Sequence, residues 1–127
     1  MSKLLQKAAI AVGAAAAAVA FASAPASAFT GRFIYVDTLA ACQDGGNNGV
    51  ANGVFASYTC DSGFGGYSLH ALPTATSFND VFVHLFSSDT ACNAAGNNGV
   101  PTPGELTEWN SYRCLSGFGG WSLRVTG

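Results

Sequence analysis

Ser62-Gly63-Phe64-Gly65-Gly66-Tyr67-Ser68-Leu69 recurs as Ser116-Gly117-Phe118-Gly119-Gly120-Trp121-Ser122-Leu123, and each copy begins two residues after a cysteine, Cys60 and Cys114. Upstream of each stands a second shared phrase: Ala41-Cys42 followed by Gly46-Asn47-Asn48-Gly49-Val50, and Ala91-Cys92 followed by Gly96-Asn97-Asn98-Gly99-Val100. The offset is 50 residues from Cys42 to Cys92 and 54 from Cys60 to Cys114, so the second copy carries a four-residue insertion between its phrases. The chain reads as a tandem duplication, residues 31–72 and 79–127, of a unit holding one pair of cysteines.

Outward from these phrases, the unit takes shape. Phe33-Ile34-Tyr35-Val36 is an aromatic and β-branched run that predicts a strand. Asp37 and Thr38 are placed to cap a short helix over Leu39 to Gln43, which Gly45-Gly46 should stop, with Asn47-Asn48-Gly49 as its turn. Val54 to Cys60 reads as an alternating strand with Phe55, Ser57 and Thr59 on one side. Tyr67 to Leu72 returns as its hairpin partner, with Gly65-Gly66 in or beside the turn. The second copy repeats the pattern: a strand over Val81 to Phe86, a helix capped by Ser88 or Asp89 and ended by Gly96, a strand over Leu106 to Cys114, and a last strand over Trp121 to Val125. Pro101-Thr102-Pro103-Gly104 marks the insertion. The predicted fold class is α+β: a duplicated β-α-β-β unit whose strands join in one antiparallel sheet with two short helices on one face. An all-β crystallin-like or barrel-like pair is the alternative.

Lys3 and Lys7, the uncharged run Ala8 to Phe21, and Ala26-Ser27-Ala28 predict a signal peptide over residues 1–28. A membrane anchor would need about 20 apolar residues, and Ser23 and Pro25 interrupt this run. The exported part then holds all four cysteines in an oxidising compartment, so two disulfides are expected. Four cysteines allow three pairings, all compatible with a two-fold repeat. Pairing within each unit, Cys42 with Cys60 and Cys92 with Cys114, is favoured because each unit then carries its own clamp. Such a loop would remove about 3 kcal/mol of unfolded-state entropy.

Beyond residue 28 the chain has three arginines (Arg32, Arg113, Arg124) against seven acids (Asp37, Asp44, Asp61, Asp80, Asp89, Glu105, Glu108); three minus seven gives a formal charge of −4. That argues against nucleic acid and against an anionic membrane as partner. No stable membrane insertion after cleavage is expected.

Few residues invite a chemical reading. His70 and His84 fall at different places in the two units and read as strand residues rather than as bases or ligands. Asp37 and Asp89 each stand at a helix start, where capping explains them better than a glycosidase pair. Glu105 and Glu108, in the insertion and the strand after it, read as ordinary solvated acids. The glycine phrases lack the lysine of a phosphate loop. Asp44, Asn47 and Asn48 offer oxygens to calcium, but Ala94 replaces Asp44 in the second copy, so the loop is a turn. No catalytic residue, metal or cofactor is expected. The aromatics remain: Phe64, Tyr67, Phe118 and Trp121 at the repeated hairpins are the possible ligand contacts, with core packing as the competing reading and Trp109 as a core residue.

The succession of Ala41-Cys42, Gly46 to Val50, Phe55-Ala56-Ser57-Tyr58-Thr59-Cys60 and Tyr67-Ser68-Leu69, with its second copy ending in Trp121-Ser122-Leu123, resembles small exported actinobacterial proteins of uncharacterised function. The resemblance covers essentially the whole exported chain and implies secretion and two disulfides, and no catalytic residue. The sequence thus points to a secreted, non-enzymatic binding or structural protein with an unknown extracellular or cell-envelope partner. A protease inhibitor or antimicrobial factor presenting Val100 to Glu105, and a small hydrolase using a histidine, are the alternatives.

Overall fold

Two side-chain oxygens start the two helices. Thr38 Oγ1 accepts from Ala41 N, and Ser88 Oγ accepts from Ala91 N, both at 3.1 Å, which supplies an acceptor to amides the helix leaves without partners. The computed structural model describes residues 31–127, and the expected signal segment lies outside them. The element order is β1 (Arg32–Asp37), α1 (Leu39–Ala51), β2 (Phe55–Gly63), β3 (Gly66–Pro73), β4 (Val81–Phe86), α2 (Asp89–Gly99), β5 (Ser111–Gly117) and β6 (Gly120–Thr126), a β-α-β-β unit twice over.

Both helices run through the Gly-Asn-Asn-Gly phrase, where the sequence predicts their ends. Gly46 and Gly49 lie three residues apart on one helix face, and the rings of Tyr58 and Phe55 rest where their Cβ atoms would stand. Tyr112 and Trp109 do the same over Gly96 and Gly99. A helix-interior glycine costs about 1 kcal/mol relative to alanine, and here the cost is offset by ring-to-backbone packing that no larger residue allows. The flanking polar atoms complete the fit: Tyr58 Oη donates to Asn47 Oδ1 at 2.7 Å, Tyr112 Oη donates to Asn97 Oδ1 at 2.9 Å, and Trp109 Nε1 donates to Gly96 O at 2.8 Å.

The fold is α+β, and its strands form two three-stranded antiparallel sheets, ordered β1-β3-β2 and β4-β6-β5, instead of one continuous sheet. Bulges and asparagines explain the separation. The β1–β3 register passes from Phe33 to Tyr35, leaving Ile34 as an extra residue, and the β4–β6 register likewise leaves Val83. Asn98 Nδ2, on the second helix, donates to Ile34 O at 2.7 Å; Asn48 Nδ2, on the first, donates to Val83 O at 3.0 Å, and Asn52 Nδ2 to Phe82 O at 2.8 Å. Each helix therefore covers the outer edge of the other half's first strand, and those edges cannot pair with each other. Each helix also lies on its own half's sheet.

The core is shared. Ile34, Val54 and Leu69 of the first half form one buried cluster with Val83, Leu123 and Val125 of the second. Phe55 and Trp109, which hold equivalent places, approach with ring centroids 6.2 Å apart. A register shift between Phe55 and Ser57 rotates Phe55 onto the buried face beside Tyr58 and Cys60, where simple alternation would have placed it opposite. The disulfides Cys42–Cys60 and Cys92–Cys114 tie each helix to the edge strand of its own sheet. In the second half the strand begins at Ser111, not at Leu106, and residues 106–110 are irregular.

Candidate functional site

The repeated hairpins turn through two-residue loops, Phe64-Gly65 between paired Gly63 and Gly66, and Phe118-Gly119 between paired Gly117 and Gly120. Gly65 and Gly66 have φ of 89° and 132°, and Gly119 and Gly120 of 91° and 136°, values that a side chain would strain. These glycines bring the turn so close to the end of the first strand that a Cβ on Gly66 would strike Asp37 O, and one on Gly120 would strike Phe86 O. The consequence is a short rigid tip with one side chain at its apex. Phe64 and Phe118 are each 105 % exposed, whereas Tyr67 and Trp121 are half-buried against the core. The four expected contact aromatics thus divide into two fully presented rings and two that support the tip from behind.

Inward-facing Leu69, Ala71, Leu123 and Val125 fix which residues face outward. Behind the Phe64 tip the first outward row is Val36, Ser68 and Asp61. Behind the Phe118 tip it is Leu85, Ser122 and Leu115, and the next row is Phe82, Arg124 and Arg113. Asp80, at φ 53° the one non-glycine with positive φ among the described residues, joins the two arginines: Arg113 Nε and Nη2 donate to its carboxylate at 2.8 and 2.6 Å, and Arg124 Nη2 to its carbonyl at 2.7 Å. The guanidinium of Arg113 holds the Asp80 carboxyl below its ordinary pKa.

Both histidines have carboxylate partners that sequence reading missed. His70 Nδ1 lies 3.2 Å from Asp61 Oδ2, which also accepts from Thr59 Oγ1 at 2.9 Å. The carboxylate stands between hydroxyl and imidazole, whereas a serine-hydrolase relay needs the imidazole in the middle. The cavity beside His70 is about 10 Å³, room for about one water. His84 Nδ1 lies 2.9 Å from Asp44 Oδ2, joining α1 to β4 across the two halves, and its ring stacks on Tyr35 at 5.2 Å. Burial, reinforced by Asp44 and Asp37, raises the Tyr35 phenol well above the ordinary value. These partners were invisible because each lies 9 or 40 residues away in sequence.

The other candidates are engaged structurally. Asp44, Asn47 and Asn48 spend their oxygens and amides on His84, Tyr58 and Val83 O, and no cluster of three metal-ligating side chains occurs among the described residues. Asp37 precedes its helix cap and accepts from Thr38 N, while Asp89 follows its cap and accepts from Asn93 Nδ2, so the two are not equivalent.

Arg32 and Glu108 carry a feature unique to the second half's insertion. Arg32 is buried, and its Nη1 donates to Val100 O and Leu106 O, both at 2.6 Å, while Nη2 donates to Thr102 Oγ1 at 2.9 Å. Its Nε lies 3.5 Å from Glu105 Oε1. One guanidinium from the first half therefore clasps the inserted loop. Glu108, read from sequence as a solvated acid, is 3 % exposed. Its amide donates to Gly99 O as that of Val54 does to Gly49 O, so a carboxyl occupies the place of a core valine. Neither carboxyl oxygen has a hydrogen-bond partner among the described residues, and burial pushes its pKa up to about 8, opposed by the Arg32 guanidinium. A cleft of about 210 Å³ lies nearby between the inter-repeat linker and residues 107–110, below the roughly 300 Å³ at which small-molecule pockets begin.

No family model, curated protein or solved structure matches the chain.

Proposed function

We propose that the protein is a secreted, non-enzymatic binding module, braced by its two disulfides, that meets an extracellular or cell-envelope partner through the phenylalanine tips of its hairpins. The observation that carries the reading is the complete exposure of Phe64 and Phe118 at equivalent places. The turn needs its glycines, but it needs no phenylalanine: a ring in water contributes nothing to the fold and exposes apolar surface that burial would stabilise by about 2–3 kcal/mol. Disulfides fit an oxidising environment, and no helix among the described residues is long and apolar enough to cross a membrane. The test is retention of the oxidised protein on cell-wall polysaccharide, on phospholipid vesicles and on immobilised cell-surface protein, beside the Phe64→Ser/Phe118→Ser double variant. At least tenfold weaker retention of the variant is expected; equal retention on every matrix that holds the wild type refutes the reading.

A second reading is favoured by the Arg32 clasp. Residues 101–107 are exposed and held from within, as a protease-inhibitor loop would be. Inhibition of a serine protease or a metalloprotease by the oxidised protein would support it, and no effect across such a panel would remove it.

A further inference from the structure

We infer that the Phe118 tip is a docking surface for an electrically neutral phospholipid bilayer. This rests on the reading of the tips as contact points and assigns them unequal roles. The outward rows of the second sheet are ordered by polarity along the hairpin. Phe118 is at the apex, exposed Leu85 and Leu115 flank Ser122 in the next row, and Arg124 and Arg113 follow beside Phe82. Two residues along a strand advance it by about 6.8 Å, so the arginine row stands roughly 7 Å behind the leucines. The polar headgroup layer of a bilayer is about 5–8 Å deep on each side. A hairpin entering tip first would therefore place Phe118, Leu85 and Leu115 at the acyl boundary and the guanidinium groups at the phosphates, in the manner of interfacial apolar anchors.

Charge selects the kind of surface. Two arginines share one carboxylate, Asp80, leaving a local surplus of one positive charge to face phosphate. Beyond residue 28 the chain as a whole carries seven acids against three arginines, which repels an anionic bilayer. The first half lacks the arrangement: at the places of Leu115, Arg113 and Arg124 it has Asp61, Thr59 and His70, and a carboxylate beside the leucine-row position opposes entry into hydrocarbon. Trp121, three residues from Phe118 and half-buried at the base of the same hairpin, is a built-in reporter.

The experiment is partitioning of the oxidised full exported chain into phosphatidylcholine vesicles near physiological salt. Co-sedimentation and quenching of tryptophan emission by lipids brominated on the acyl chain are the readouts. Wild-type protein is expected to bind with Trp121 quenched, Phe118→Ser to lose at least tenfold in partition coefficient, and Phe64→Ser to lose less than twofold. Leu115→Asp, which copies the first half, is expected to lose as much as Phe118→Ser and keeps the test available should that variant misfold. Absence of wild-type binding, or equal losses for Phe64→Ser and Phe118→Ser, overturns the inference. If Phe-dependent retention on polysaccharide or protein persists while vesicles are ignored, the lipid assignment fails alone and the binding-module reading stands.

Discussion

Glu108 offers the sharpest quantitative test, because a carboxyl sits where the other half has Val54 and neither oxygen has a hydrogen-bond partner among the described residues. Its pKa rises from an ordinary 4.5 to about 8 on folding. Between those values the unfolded chain has released the proton and the folded chain retains it. The unfolded state then binds fewer protons, so stability falls as pH rises, being full below about 4.5 and lost through about 8. At 1.36 kcal/mol per unit the upper limit, with the opposing Arg32 charge already included, is near 5 kcal/mol; water reaching the ionised group reduces it to about 2–4 kcal/mol. Urea denaturation of the non-reduced protein between pH 4 and 9, compared with Glu108→Gln, isolates this group because every other titration cancels in the difference. The wild type should lose about 2–4 kcal/mol relative to Glu108→Gln between pH 5 and 9. Glu108→Val, which restores the other half's residue, should be more stable than wild type at pH 9 by a similar amount. Parallel pH curves for wild type and Glu108→Gln would show that the carboxyl is solvated, and would refute the argument.

Other substitutions probe the remaining contacts. Arg32→Met should lower stability by about 2–4 kcal/mol, because it leaves the carbonyls of Val100 and Leu106 without their donor, and limited proteolysis should then cut within residues 100–106 first. Gly96→Ala improves helix propensity by about 1 kcal/mol yet should destabilise by about 1–3 kcal/mol in denaturant melts, since its Cβ meets the Tyr112 ring; a more stable variant would mean the ring moves aside freely.

How much of this was legible in sequence depended on range. The α+β class, the unit's element order, the pairing of Cys42 with Cys60 and of Cys92 with Cys114, the helix starts within Asp37-Thr38 and Ser88-Asp89, and a hairpin turn in or beside Gly65-Gly66 all rest on local residue chemistry that a repeat makes conspicuous. The helix ends were misread because glycine has two uses. Gly46 and Gly96 look like stops, but they are contact points for rings 12 and 16 residues away, Tyr58 and Tyr112. The separation of the sheets depends on Asn48 and Asn98 reaching bulge carbonyls 35 and 64 residues distant, and no local pattern announces that. Glu108 reads as a solvated acid because its type favours the surface; alignment of the two copies through Trp109 and Phe55 places it opposite Val54 and exposes the conflict. At the hairpins, the sequence located the aromatic set, and only the burial of Tyr67 and Trp121 against the exposure of Phe64 and Phe118 divided it.

The contact role of the tips is tested most directly by quantitative retention of wild type, Phe64→Ser, Phe118→Ser and the double variant on the same three matrices, with thermal melts run in parallel. Both side chains are fully in water, so melting temperatures should agree within a few degrees. The expected result is unchanged stability with retention reduced at least tenfold in the double variant. Retention equal to wild type in a double variant that melts normally would contradict the assignment of the hairpin tips as the binding surface.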